Sequence, residues 1–365
     1  MESHTASASA IILILLLLPI ILIPYFNHNL KLPKSLKLLW PRKSSSSEII
    51  SLRMYPIKSC RGLEVTQTIL KGHGLDLDRR WMLIDASTNT FLTIRQIPNM
   101  TRITTALSPD GDELIVNIPK PSENPENKND FNTIRIPSHP SQTWLAENTS
   151  ISAVRIWDTD TDGYMYSESI NAPFSAFLGL NVALVYKGPT PRVLKGNGDP
   201  RLLGRVQTTG FPDVHPVLIA SETSLSELNG RLGQVGVDPI TVERFRPNIV
   251  VQGGKAWSED SWKVVRITAN GSGSGSTGVG SVKLDLDVVA RCARCQVPNV
   301  DPGSAVKHKR QPWDMLVSYR RVDEGIRFKP CFGMLSAPRD EGVIGVGMRL
   351  EVLEETNEHR YVTGF

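Results

Sequence analysis

Aromatic side chains make up only 7% of this 365-residue chain, cysteine occurs four times, and the formal net charge is only +4. Each scarcity removes a class of function. So mild a charge, with no basic stripe interleaved with aromatic residues, argues against nucleic acid as a partner. Four cysteines over such a length make no disulfide framework and fit a reducing, cytosol-facing compartment. No dinucleotide fingerprint set between a strand and a helix is found, and no Cys-x-x-Cys-His haem attachment. Redox chemistry here would need electrons from another protein. What remains, 40% hydrophobic and 21% charged residues, is ordinary globular composition and enough for two domains.

The stretch from Arg291 to Pro302 concentrates chemistry: Cys292 and Cys295 stand among Arg291 and Arg294, followed by a turn at Val300-Asp301-Pro302. A thiolate binds soft or borderline metals, and neighbouring guanidinium groups favour the ionised sulfur. Half of a zinc site and a redox dithiol are the rival readings. Zinc lacks two further ligands at workable spacing, since Cys60 and Cys331 lie far off singly. A thioredoxin-like pair opens a helix, whereas this one follows the alternating run Val282–Val288 and leads to prolines. A single thiolate in an electropositive loop is the better physical reading.

Residues 1–27 contain an apolar run from Ala10 to Phe26 that reads as a membrane anchor. A cleaved signal peptide is the alternative, but no positive segment precedes the run. Lys31, Lys34, Lys37, Arg42 and Lys43 follow it and place the bulk of the chain on the cytosolic side. Residues 28–47 read as a basic, serine-rich tether. Asn99, Asn148 and Asn270 begin glycosylation sequons that a cytosolic domain would leave bare.

Beyond the tether, short alternating segments predict a mainly β chain with some helices, an α+β protein built as two barrel-like units over 48–187 and 188–355 with a C-terminal tail at 356–365. Ile50, Leu52 and Met54 open the first strand on one face. A helix over Ala172–Leu178, capped by Asn171 and stopped by Gly179, is expected in the first unit, and one capped by Ser221 with core leucines 225, 228 and 232 in the second. Pro312–Leu316 is the best late helix. The polar stretch 119–132 reads as a surface loop and the glycine-serine tract at 271–280 as a hairpin connection.

Four further stretches have site character: Tyr55-Pro56-Ile57-Lys58-Ser59-Cys60-Arg61-Gly62, Asp78-Arg79-Arg80-Trp81, Phe211-Pro212-Asp213-Val214-His215-Pro216 and Phe245-Arg246-Pro247-Asn248-Ile249. Singly, Lys58, Arg79 and Arg246 read as surface charges, His215 as a loop histidine and Asn248 as a turn former. Together, cations and amide donors at strand ends suit an anionic, phosphate-bearing ligand.

These motifs, with Thr93-Ile94-Arg95-Gln96, Glu259-Asp260-Ser261-Trp262 and Arg294-Cys295 ahead of Val300-Asp301-Pro302, resemble the MOSC-domain proteins that carry an N-terminal MOSC β-barrel, and within them the amidoxime-reducing branch. The resemblance runs from about Glu48 to the C-terminus. It implies a molybdenum cofactor, Mo-molybdopterin, with Cys295 as metal ligand and Cys292 a neighbour without that role. It further implies cofactor contacts from Lys58, Ser59, Arg79, Val214, His215, Arg246, Asn248 and Arg294, and places Asp213 close to the metal as proton donor or substrate anchor. Two departures stand out. Gln296–Asn299 replaces a more apolar stretch, and Leu335 stands where an aromatic cofactor contact is implied.

The activity implied is two-electron removal of oxygen from N-hydroxylated substrates, with cytochrome b5 and its NADH-dependent reductase as electron donors at the mitochondrial outer membrane. Anchoring both partners raises their effective concentration. The rival is a non-catalytic carrier of sulfurated cofactor, since MOSC domains also end cofactor sulfurases; no pyridoxal-phosphate transferase domain accompanies this one.

Overall fold

The computed structural model describes residues 46–120, 130–269 and 282–364. The expected anchor, most of the tether, the glycine-serine tract and the middle of the 119–132 loop lie outside them. Among the described residues no helix is long and apolar enough to cross a membrane.

Seven strands close a ring: β1 (Ser46–Met54), β2 (Val217–Ser221), β3 (Ile249–Val251), β4 (Trp262–Thr268), β5 (Lys283–Ala293), β6 (Cys331–Pro338) and β7 (Arg349–Glu355). The order around the barrel is β3-β2-β6-β5-β4-β7-β1, and β1 returns to β3. Only β2 and β3 are parallel. Closure leaves no open edge among the seven and turns alternate residues inward. Ile49, Leu52, Ile219, Ile249, Val265, Leu286, Met334 and Leu350 form that apolar interior.

Strand β1 carries two corrections. Ser46 and Ser47, expected in the tether, pair with Glu351 and Leu350 of β7. Ile50 faces outward at 36% exposure while Ile49 is fully buried, because an irregularity in the β1–β3 pairing between Ile49 and Ser51 shifts the alternation by one residue. The first strand of the expected N-terminal unit is thus a stave of the C-terminal barrel, and Ser45–Phe365 forms one unit.

Most of the rest of the N-terminal half is built on two further sheets. A four-stranded sheet of Trp81–Asp85, Val182–Lys187, Thr159–Tyr166 and Thr149–Ile156 and a three-stranded sheet of Thr104–Leu107, Glu113–Pro119 and Phe131–Pro137 share one core, including Trp81, Leu83, Leu114, Val116, Phe174 and Leu184. Bridges from Ile84 to Phe91 and from Thr90 to Arg155 join the two edges of the four-stranded sheet through residues 90 and 91, so a second, smaller ring closes.

The Ser221-capped helix forms over Glu222–Gln234 with Leu225, Leu228 and Leu232 buried, and Trp313–Tyr319 forms the late helix. The earlier helix starts sooner than expected, at Glu168. Asn171 is not its cap: its amide bridges Tyr166 O and Leu184 N, tying the helix to the sheet. Gly179 ends it in the left-handed conformation, as the sequence implied. Gln142–Asn148, capped by Ser141, is a helix that periodicity did not reveal because it spans only seven residues.

Candidate functional site

Strand direction gathers the site. Antiparallel pairing sets the end of β1 beside the start of β3, and the end of β5 beside the start of β6, while parallel β2 begins beside β3. The segments holding Lys58, His215, Asn248 and Cys295 therefore meet at one mouth of the barrel. All ten candidates line one cavity there: Lys58, Ser59, Arg79, Asp213, Val214, His215, Arg246, Asn248, Arg294 and Cys295.

One wall is cationic. Arg79 and Arg246 both lie over the Tyr55 ring, at 4.9 Å and 4.2 Å from its centre. An aromatic face between two guanidinium groups lets like charges approach. Arg79 is further held by Asp78 at 2.5 Å and by the Arg246 carbonyl at 3.2 Å. Arg246 donates to the Cys60 carbonyl at 2.7 Å. Burial, then the charge of Arg79, lowers the Arg246 pKa. Asn248 is 1% exposed and ties β1 to β2, donating to Arg53 O and accepting from Leu218 N. Ser59 takes the left-handed conformation, φ 69°, where the chain turns after Lys58.

A second group on the cavity is an ion-pair cluster. Lys58 is buried, donates to Phe211 O at 3.0 Å, and pairs with the Asp213 carboxylate. Arg95 Nη2 lies 3.5 Å from the same carboxylate and Trp157 Nε1 donates to it at 3.2 Å. Arg95 also stacks over Trp157 at 4.6 Å. Burial pushes Lys58 down to about 8 against the pull of Asp213. Burial would raise Asp213, but Lys58 and then Arg95 hold its carboxyl well below the ordinary range. Both partners are therefore ionised at neutral pH. The Asp213 side chain remains 44% exposed toward the cavity.

The thiols separate, and one of the two arginines, Arg291, is not where the sequence put it. Cys292 is in β5 and Cys295 in the loop beyond it. Residues 291 and 292 point to opposite faces of the strand, so Arg291 turns away to Asp323 and the His359 carbonyl. Arg294 Nη1 donates to Cys292 Sγ at 3.0 Å, and the Cys292 thiol is raised by burial against that guanidinium. The cation that interacts with Cys295 is Arg95, whose pKa is raised by Cys295 and Asp213 against burial. Among the described residues no cluster of three His, Cys, Asp or Glu could hold a metal by itself.

Residues that line the cavity carry buried polar atoms without partners. Arg246 Nη2, Arg294 Nε and both ring nitrogens of His215 have no hydrogen bond among the described residues. Burial, then Arg192, lowers His215 to about 4, so the ring is neutral at pH 7. Unpaired buried donors beside a free thiol fit an anionic, hydrogen-bonding group brought from outside.

Sequence reasoning missed three contributors. Arg95 sat in a recognised motif without an assigned role. Arg192, 3% exposed, donates to the carbonyls of Gly210, Pro212 and Asp213 and so holds the Asp213 loop. Tyr361 lines the cavity from the expected tail. No local pattern marks a residue whose partners are 18 or more positions away.

Comparison with known proteins agrees with this architecture. A MOSC N-terminal beta barrel domain matches residues 46–181 and a MOSC domain matches residues 206–351. The chain belongs to the MOSC-domain proteins. It is 26% identical to mitochondrial amidoxime-reducing component 1 of Xenopus laevis, covering 84% of each chain. It is 28% identical to mitochondrial amidoxime reducing component 2 of Homo sapiens, over 84% of this chain and 85% of that one. Among solved structures, the YUAD protein from Bacillus subtilis overlaps at a TM-score of 0.33 and 11% identity, over 85% of this chain and 96% of that one.

Proposed function

We propose that this protein is a molybdenum-cofactor-dependent reductase of N-hydroxylated compounds such as amidoximes and hydroxylamines. The observation that carries the reading is the meeting, in one cavity, of the free Cys295 thiol with Lys58, Arg79, Arg246 and Arg294 and with buried polar atoms that lack partners. The names of the relatives support the substrate class.

Cys295 would hold the metal. Lys58, Ser59, Arg79, Val214, His215, Arg246, Asn248 and Arg294 would hold the pterin and its phosphate, with Arg79 and Arg246 supplying charge. When bound, the cofactor supplies the two-electron redox centre that takes the substrate's oxygen. The N-hydroxy group plus two electrons and two protons gives the N–H compound and water. Asp213, kept ionised by Lys58 and Arg95, is an acceptor that orients substrate N–H groups rather than a general acid. Lys58, at about 8, is the group of that pair able to pass a proton near neutrality.

Electrons would come from cytochrome b5 and its NADH-dependent reductase. The apolar run within residues 1–27 would hold the chain at the mitochondrial outer membrane with the barrel facing the cytosol; of this, the relatives' names support the mitochondrion alone.

The test is metal and pterin analysis of the full chain purified in detergent, beside a Cys295→Ser variant, each assayed with a reduced artificial donor and a simple amidoxime. Stoichiometric molybdenum with turnover in the wild type, lost in the variant, supports the reading. Molybdenum without turnover favours a carrier, and zinc without pterin overturns both.

A further inference from the structure

The last residues are woven into the cavity wall. Tyr361 N donates to Asp323 Oδ1 at 2.8 Å and Val362 N to Asn197 Oδ1 at 2.7 Å. The carbonyls of His359 and Arg360 accept from Arg291 Nη1 and Asn197 Nδ2, both at 2.9 Å. Asp323 and Arg291 are buried. Glycines clear the path: a Cβ on Gly325 would lie 2.1 Å from Tyr361 O, and one on Gly196 would lie 2.4 Å from Val362 O. A frayed terminus needs none of this. The segment so held lies beyond residue 351, where the MOSC domain match ends.

What the segment delivers is an aromatic ring. Tyr361 is 7% exposed, packs in one cluster with Leu218, Leu335 and Cys292, and lines the cavity. The other phenyl ring on the cavity is Phe245, which is engaged: it stacks on Phe332 at 3.8 Å, and Arg294 lies over it at 5.4 Å. Tyr361 has no ring partner, and its hydroxyl has no hydrogen bond among the described residues. Burial, then the nearby Cys292 and Asp213, raises the phenol above its ordinary value, so the hydroxyl stays a donor.

We infer that Tyr361, carried into the site by the C-terminal segment 356–364, is the aromatic contact of the bound pterin, on the wall where Leu335 offers only an aliphatic side chain. The inference rests on the molybdenum-cofactor reading above. A planar heteroaromatic group gains from a ring held rigidly against it.

The experiment uses the full chain in detergent and measures molybdenum and pterin retained over time, with the thermal midpoint of the cofactor-free protein as control. Tyr361→Leu is expected to lose cofactor about three- to tenfold faster with the midpoint unchanged. Tyr361→Phe is expected to keep most of the retention. Adding Leu335→Tyr to Tyr361→Leu is expected to restore it, because the ring returns to the same wall. Should Tyr361→Leu lower the midpoint, the double variant decides: restored retention supports the contact, and retention left at the single variant's level overturns it. Unchanged retention in Tyr361→Leu, with or without a raised KM for substrate, overturns the inference and leaves the reductase reading intact. A wild type without molybdenum overturns both.

Discussion

The Lys58 ammonium and the Asp213 carboxylate are paired in the cavity wall, 155 residues apart in the chain. Lys58 is buried, at 6% side-chain exposure, and Asp213 is not, so the two halves of the pair are not equivalent. Removing the carboxylate strands a buried cation. Asp213→Asn is therefore expected to destabilise by about 1–3 kcal/mol at pH 7, discounted for the exposed carboxylate. The Asp213 carboxyl titrates below its ordinary value, so its contribution is complete above that value and disappears as pH falls through the folded one. The gap between the urea midpoints of wild type and variant should be full at pH 7 and narrow progressively as pH falls below the ordinary carboxylate value. A gap as wide at pH 2 as at pH 7 would refute the pairing.

Glu259 behaves in the opposite sense. It is 1% exposed, neither carboxylate oxygen makes a hydrogen bond of ordinary geometry among the described residues, and burial raises it to about 7 against the weaker pull of Ser224. A raised carboxyl favours the folded state below its unfolded value, and that advantage is lost as pH rises through the folded value. Glu259→Gln should leave the thermal midpoint nearly unchanged at pH 4 and raise stability at pH 8 by about 1–3 kcal/mol. Equal midpoint differences at both pH values would contradict this.

Arg192 is expected to govern the Asp213 loop through three carbonyls at 3.3, 2.5 and 3.0 Å. Arg192→Met should cost about 2–4 kcal/mol by leaving buried carbonyls unpaired. Hydrogen exchange at residues 210–215 should rise selectively. Lysine should rescue little, since one ammonium cannot reproduce the guanidinium fork.

Gly325→Ala tests the docking of the C-terminal segment without touching the cavity. The added Cβ meets backbone at 2.1 Å, so the segment must lift. Exchange at the Tyr361 and Val362 amides and trimming by carboxypeptidase should both increase. Gly230→Ala is the control: nothing lies within 4 Å in its helix, and it should be neutral or stabilising by about 0.5–1 kcal/mol.

Legibility followed distance along the chain. The Ser221 cap and the three leucines behind it were readable because a helix repeats within a few residues, and the site motifs were readable because each is contiguous. Asn171 was misread as a cap because its partner Leu184 lies 13 residues on, in a sheet that local pattern does not show. Arg291 was misplaced for a related reason: adjacency along a strand puts neighbours on opposite faces. Ile50 was grouped on one face with Leu52 and Met54 because the irregularity between Ile49 and Ser51 depends on pairing with β3, some two hundred residues away.

By itself, then, the sequence determined the β-rich character, the capped helix and a set of cations, an amide and thiols with chemical potential, since propensity and alternation arise from local backbone geometry. Tertiary structure decided which of them meet. Closing the ring through β1 and β3 brought Lys58 to Asp213 and Arg79 to Arg246, set Arg95 to act on Cys295, and left room along Gly196 and Gly325 for Tyr361 to return. Those contacts depend on strand register across the whole barrel, and no window of adjacent residues contains that register.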